Sequence, residues 1–133
     1  MIEGFKIPQV NFRIREGDTS DNEVECAIGG KWTNKSTDDF FKNKRVILFS
    51  LPGAFTPTCS STHLPRYNEL ADTFKDHGVD EIVCISVNDT FVMNAWAKDL
   101  GIEKVKMIPD GSGQFTRDMD MLVFKPEQNF WLS

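Results

Sequence analysis

The sequence predicts an α/β fold with a β-rich segment added at its N-terminal end. Three observations carry that expectation. Two runs, VILFSL (Val46 to Leu51) and EIVCISV (Glu81 to Val87), are almost wholly apolar, rich in β-branched residues and too short for helices. Strands buried on both faces have this composition. Both runs are followed by stretches in which apolar residues recur at helical spacing. Strands that alternate with helices in this way pair in parallel through right-handed crossovers.

In chain order, VNFRIR sets Val10, Phe12 and Ile14 against Asn11, Arg13 and Arg15. EVECAIGGKW sets Val24, Cys26 and Ile28 on one side and turns at Gly29-Gly30. Such period-two alternation marks strands with one wet face, so the arginines point outward and Cys26 is a small buried hydrophobe. STDDFF reads as one helical turn, capped by Ser36 or Thr37, with Asp38 and Asp39 at its positive end. VILFSL then reads as a central strand, closed by Pro52-Gly53. Tyr67, Leu70, Ala71 and Phe74 fall at i, i+3, i+4 and i+7 on one helix face, and Gly78 ends that helix with Lys75 and His77 in its last turn. After EIVCISV, Asn88 or Asp89 caps a second helix whose face carries Met93, Trp96, Ala97 and Leu100, and Gly101 closes it. VKMI is a short third strand, GQFTRDM a weak helical turn and MLVF a candidate fourth strand.

A chain of 133 residues suits a single domain spanning 1–133, with one core. Its 40% hydrophobic and 26% charged residues are ordinary for a soluble domain. A net charge of −5 argues against nucleic-acid binding, which leaves a basic footprint. No apolar run approaches the about 20 residues of a membrane span, and MIEGFKIPQV lacks the basic start and apolar segment of a signal peptide. The expectation is a cytoplasmic protein with no membrane partner. Cys26, Cys59 and Cys84 form no CxxC pair, which argues against a zinc ribbon or a dithiol site, and in a reducing compartment they rest as thiols. Neither a metal nor a cofactor is expected.

The chemistry concentrates in LPGAFTPTCSSTHLP, Leu51 to Pro65. This loop brings one thiol to the end of a buried strand, at or just inside the start of the helix that follows. Unpaired backbone N–H groups and the helix dipole favour an anion there, and a thiolate is such an anion. The thiolate is the nucleophilic form, and an unassisted thiol supplies only a few per cent of it at neutral pH. Thr56, three residues before Cys59, can present its hydroxyl to the same spot; Pro52 and Pro57 stiffen the approach and Gly53 permits an unusual turn.

PGAFTPTCSSTHLP resembles the active-site loop of the peroxiredoxins, thioredoxin-fold thiol peroxidases, and most closely the fifth, type II or redoxin-like subfamily. That group includes bacterial members, some of them fused to glutaredoxin. The similarity runs from about Phe5 to Met121 and includes KRVILFSLPGAFTPTCS, CISVNDTFVMNAWAKDLG and IPDGSGQFTRDM. The resemblance implies a thioredoxin-like α/β fold with an N-terminal β extension. Cys59 matches the peroxidatic cysteine, whose thiolate attacks the hydroperoxide O–O bond and becomes a sulfenic acid. Thr56 matches the threonine whose hydroxyl bonds thiolate and peroxide, and Pro52 the proline that shields the site from bulk water. Backbone N–H groups around Thr58 and Cys59 would bind peroxide oxygen. His63 matches a histidine common in the subfamily, in a supporting role or as a surface or interface residue.

The family's late-strand arginine, in a segment such as Arg-x-Ser, has no counterpart here; Arg45, Arg66 and Arg117 do not match the motif. After Met121 the sequence has no counterpart of the family's C-terminal strands and final helix, so the expected domain is C-terminally short. Cys84 occupies a position where relatives often carry a cysteine, and no resolving cysteine is assigned. The resemblance therefore implies a one-cysteine cycle on hydrogen peroxide and small alkyl hydroperoxides, with glutathione and glutaredoxin, or thioredoxin, as reductant, in a homodimer. The alternative is a catalytically impaired redoxin-fold redox sensor or binding module.

Overall fold

The computed structural model describes residues 4–16, 31–128 and 130–133. The expected strand around Cys26 lies outside these residues. A three-stranded parallel sheet forms the centre, in the order β3 (Val46–Ser50), β4 (Glu81–Ser86) and β5 (Lys106–Pro109). β1 (Asn11–Glu16) and β2 (Lys31–Ser36) pair antiparallel beside it, and β6 (Val123–Lys125) and β7 (Phe130–Leu132) form a terminal hairpin. The helices are α1 (Thr37–Phe41), α2 (Leu64–Glu69), α3 (Ala71–Asp76), α4 (Thr90–Asp99) and α5 (Gln114–Asp118), with a π-helical turn at Cys59–His63 ahead of α2.

Alternation along β4 divides the core in two. Ile82 and Cys84 pack with Phe49, Leu51, Leu64, Ala71, Met93 and Trp96, under α2 to α4. Val83 and Ile85 face the other way, into Val10, Phe12, Ile14, Phe40, Ile108 and Phe115. Both faces of β4 are thus covered, as its unbroken apolar run requires. Leu64, Met93 and Trp96 are fully buried, each stabilising the fold by roughly 1.5–3 kcal/mol of transfer free energy.

The caps follow the residue chemistry. Ser36 closes a capping box with Asp39 ahead of α1. Asp89, not Asn88, caps α4 by accepting from the Val92 N–H at 2.9 Å. Gly78 (φ 84°) and Gly101 (φ 64°) supply the left-handed residues that end α3 and α4.

Several expectations need correction. Among the described residues the central strand is β4; β3 is an edge and four of its five residues are only partly buried. An apolar run shows that a strand is buried, not how many neighbours it has. Tyr67 to Phe74 is not one helix: the backbone tightens at Leu70 (φ −87°, ψ 3°) between α2 and α3. The Leu70 N–H still bonds the Arg66 carbonyl and the Phe74 N–H that of Leu70, so the apolar face continues across the break. MLVF yields β6, but β6 pairs with β7 instead of extending the parallel sheet. Arg15, expected in solvent, is only 6% exposed; its guanidinium lies 5.9 Å from the Trp32 ring centroid and 5.4 Å from that of Phe91, where cation–π attraction offsets its removal from water.

Candidate active site

The helical run that follows β3 extends from Pro57 to Glu69, so Cys59 lies in its first turn. The Ser60 N–H closes a helical bond on the Thr56 carbonyl at 3.0 Å. The N–H groups of Thr58 and Cys59 come before it, among the donors a helix leaves open at its start. Cys59 is 4% exposed and packs against the α2 to α4 side of the core. From Cys59 the run is π-helical, with the Leu64 N–H on the Cys59 carbonyl. Pro65 has no N–H to continue a regular ladder, and single π turns of this kind are frequent at functional sites.

The loop before Cys59 is tightly folded. Thr56 Oγ1 donates to the Gly53 carbonyl at 2.7 Å, and the Thr56 N–H approaches the same carbonyl at 3.4 Å. The left-handed residue of this turn is Phe55 (φ 62°), and not Gly53, whose backbone has no positive φ. Pro52, the second residue after β3, is exposed. On the far side, Trp96 Nε1 of α4 donates to Ser60 Oγ at 2.9 Å, tying the first turn of the helical run to α4.

Thr58 and His63 line a cleft of about 560 Å³ with Ser61, Thr62, Arg66 and Tyr67. The His63 ring lies 5.2 Å from Phe49 and 5.7 Å from Tyr67, while Phe49 and Tyr67 stack at 3.9 Å. Arg66 borders the cleft but is paired with Glu69 at 3.0 Å. Arg45 precedes β3, at the opposite end of the strand from Cys59, and Arg117 lies on α5. The structure thus brings Cys59, Thr56, Thr58 and His63 to one end of β3.

Cys84 is fully buried in β4, and burial first, then the charge of nearby Cys59, pushes its thiol up to about 12. It is held as a neutral thiol while Cys59 stands at an open helix start. Sequence reasoning missed Ser86 and Asn88, which hold the loop from the end of β4. Asn88 Oδ1 accepts from the Ala54 N–H at 3.0 Å and from Ser86 Oγ at 2.7 Å. The signal was present in the asparagine placed directly after a buried strand, but a capping role for either Asn88 or Asp89 accounted for it equally well.

A family model described as redoxin matches residues 4–133. The chain is 57% identical over 129 residues to a hybrid peroxiredoxin of Haemophilus influenzae, covering 97% of this chain and 48% of that protein. It is 54% identical over 127 residues to a peroxiredoxin of Rhizobium etli, covering 96% and 69%. Among solved structures, the antioxidant protein of Plasmodium falciparum, a 1-Cys peroxiredoxin, superposes with a TM-score of 0.82 at 39% identity, covering 95% of this chain and 72% of that one. Reduced Prx3 of Vibrio vulnificus in complex with hydrogen peroxide gives 0.82 at 33% identity, covering 100% and 77%. The chain therefore spans from about half to three quarters of the length of these four proteins. With its thioredoxin-like core and a cysteine in the first helical turn after β3, the chain belongs to the redoxin family, among the peroxiredoxins of the fifth type.

Proposed function

We propose that residues 1–133 act as one peroxiredoxin domain, a thiol peroxidase that reduces hydrogen peroxide and small alkyl hydroperoxides through Cys59. The observation that carries this reading is the placement of Cys59 in the first turn of the helical run, beside the N–H groups of Thr58 and Cys59. A thiolate sulfur there attacks the terminal peroxide oxygen. The S–O bond forms as the O–O bond breaks, sulfur loses two electrons, and the departing oxygen takes a proton to leave as water or alcohol. Thr56 and Thr58 orient the peroxide and stabilise the departing oxygen, Pro52 limits water, and His63 borders the approach. An external thiol then attacks the sulfenic acid, releases water and forms a mixed disulfide, which a second thiol reduces. Glutathione with glutaredoxin, or thioredoxin, fits this role, in the cytoplasm and in a homodimer.

The arginines favour a second reading. Arg66 is engaged by Glu69, and Arg45 and Arg117 lie on other elements. A site at which none of these three arginines meets the peroxide can serve as a slow redox sensor or as a binding module. One titration separates the readings: free thiol at Cys59 is followed by mass spectrometry as hydrogen peroxide is added at low micromolar concentration, with Cys59→Ser as control. Stoichiometric loss within seconds supports the peroxidase, whereas a thiol that persists for minutes supports the second reading.

A further inference from the structure

We infer that Asn88 is a positioning residue for the peroxidatic loop, continuing the β3–β4 ladder with its side chain where Pro52 interrupts the backbone. β3 and β4 pair in constant parallel register, from Val46 opposite Glu81 to Ser50 opposite Ile85. Carried forward at the same offset, that register sets Pro52 opposite Val87 and Gly53 opposite Asn88. Pro52 has no N–H, so the ladder cannot pass through it. Just beyond this gap, Asn88 Oδ1 takes the Ala54 N–H at 3.0 Å. A backbone N–H only donates, so this contact settles which end of the amide is oxygen.

Asn88 is itself held at the end of β4. Ser86 Oγ donates to the same Oδ1 at 2.7 Å, and the Asn88 N–H bonds the Ser86 carbonyl at 2.8 Å. That carbonyl also takes the Asp110 N–H at 3.0 Å, which ties the group to the end of β5. Ser86 is fully buried, so the anchor is part of the sheet. A rigid strand end therefore fixes Ala54. Through Ala54 it fixes the turn in which Thr56 bonds Gly53, and through the Thr56 carbonyl it fixes Ser60 beside Cys59. Asn88 touches neither the thiol nor the peroxide. Its effect is to hold Thr56 and the open N–H groups where the peroxide must sit, and displacement by about 1 Å in such an arrangement can cost 10²-fold in rate.

The inference rests on the peroxidase reading, and its test distinguishes the two. The second-order rate of Cys59 oxidation by hydrogen peroxide is measured in the wild type, Asn88→Ala and Asn88→Asp, beside the rate of alkylation by iodoacetamide and amide exchange at Ala54. Asn88→Ala is expected to slow peroxide oxidation by about 10- to 100-fold. Alkylation, which needs the thiolate but not the peroxide-binding geometry, should slow far less. Asn88→Asp keeps the acceptor for Ala54 and Ser86 and should recover most of the peroxide rate. Ala54 exchange should quicken in the alanine variant and stay slow in the aspartate variant. Equal peroxide rates in Asn88→Ala and the wild type, or loss of both reactions in proportion, would overturn the positioning role. If wild-type Cys59 ignores peroxide, the peroxidase reading falls; unchanged Ala54 exchange in Asn88→Ala then overturns the anchor as well, whereas quickened exchange supports it.

Discussion

At the scale of single residues, the site depends on the contrast between two buried thiols. Cys84 is fully buried among apolar neighbours, with its thiol raised to about 12. At pH 7 that leaves roughly one part in 10⁵ as thiolate, from five units of separation. Limiting iodoacetamide at pH 6 to 7 should therefore label Cys59 and spare Cys84, and peptide mapping that found equal adducts on both would remove Cys59 from its role. Thr56 has two duties that one substitution tests together. Its hydroxyl braces the turn on Gly53 and stands three residues before the thiol. Thr56→Val should slow peroxide oxidation of Cys59 by roughly 10²–10³ and lower stability by only about 1 kcal/mol. Thr56→Ser, which keeps the hydroxyl, should restore most of the rate in stopped-flow measurements; an unaltered rate in the valine variant would exclude the donor.

At the scale of elements, the segment after β3 is pinned from two sides, its loop by Asn88 at the end of β4 and its first helical turn by Trp96 on α4. Trp96 is completely buried yet has an indole N–H to satisfy, and Ser60 Oγ accepts it. Trp96→Phe keeps the apolar bulk and removes that donor. A net loss of about 1 kcal/mol is expected for the bond, with further loss from the smaller ring. The midpoint of urea unfolding should fall accordingly, and no change would mean that the bond is replaced by solvent. The opposite end of the parallel sheet is held by charge. Glu81, the first residue of β4, accepts from Lys106 Nζ at 2.6 Å and Lys44 Nζ at 3.1 Å through Oε1. Burial raises the Glu81 carboxyl, but these two lysines outweigh it and hold the group below its ordinary 4.5. A carboxylate with a lowered folded-state pKa stabilises the fold above its unfolded value and loses that contribution as pH falls through the folded value. Stability should thus drop below about pH 4.5 less steeply in Glu81→Gln than in the wild type, as followed by thermal melts across pH 3 to 6.

At the scale of the whole molecule, the sheet is covered on both faces at β4 and open at β3. Among the described residues β3 pairs with β4 alone, and its outer edge carries no strand. Ser133 Oγ, directly after the hairpin, reaches the Leu51 carbonyl just past the end of β3 at 3.0 Å. Beside it Met121, Val123, Phe124, Phe130 and Trp131 are exposed, Trp131 by 51%. An unpaired edge next to apolar side chains favours association. Each hundred Å² of apolar surface covered contributes about 2.5 kcal/mol. The 133-residue chain is expected to sediment as a dimer or larger species at micromolar concentration. Trp131→Lys should shift it toward monomer without altering Cys59 alkylation. A monomer of undiminished stability in the unmodified chain would show that the edge needs no cover.

How much was legible in advance depended on the range of the interaction involved. Short-range patterns were readable from the residues alone. The apolar runs marked β3 and β4, period-two spacing marked β1, the Ser36 and glycine signals marked helix ends, and the proline-rich loop marked Cys59 as the thiol to examine. Each of these signals lies within a few residues of the feature it specifies. Tertiary structure decided what lies far apart in sequence. β3 became an edge and β4 the centre because pairing depends on which other strands the chain supplies. Arg15 is covered where Trp32 and Phe91, remote in sequence, lie over its guanidinium. Asn88 became an anchor instead of a cap because parallel register sets it beside a loop 34 residues earlier in the chain. Local sequence selects a backbone conformation and sets a thiol at its end; only the packed sheet determines which distant donors and acceptors surround it, because those contacts form when strands pair and not before.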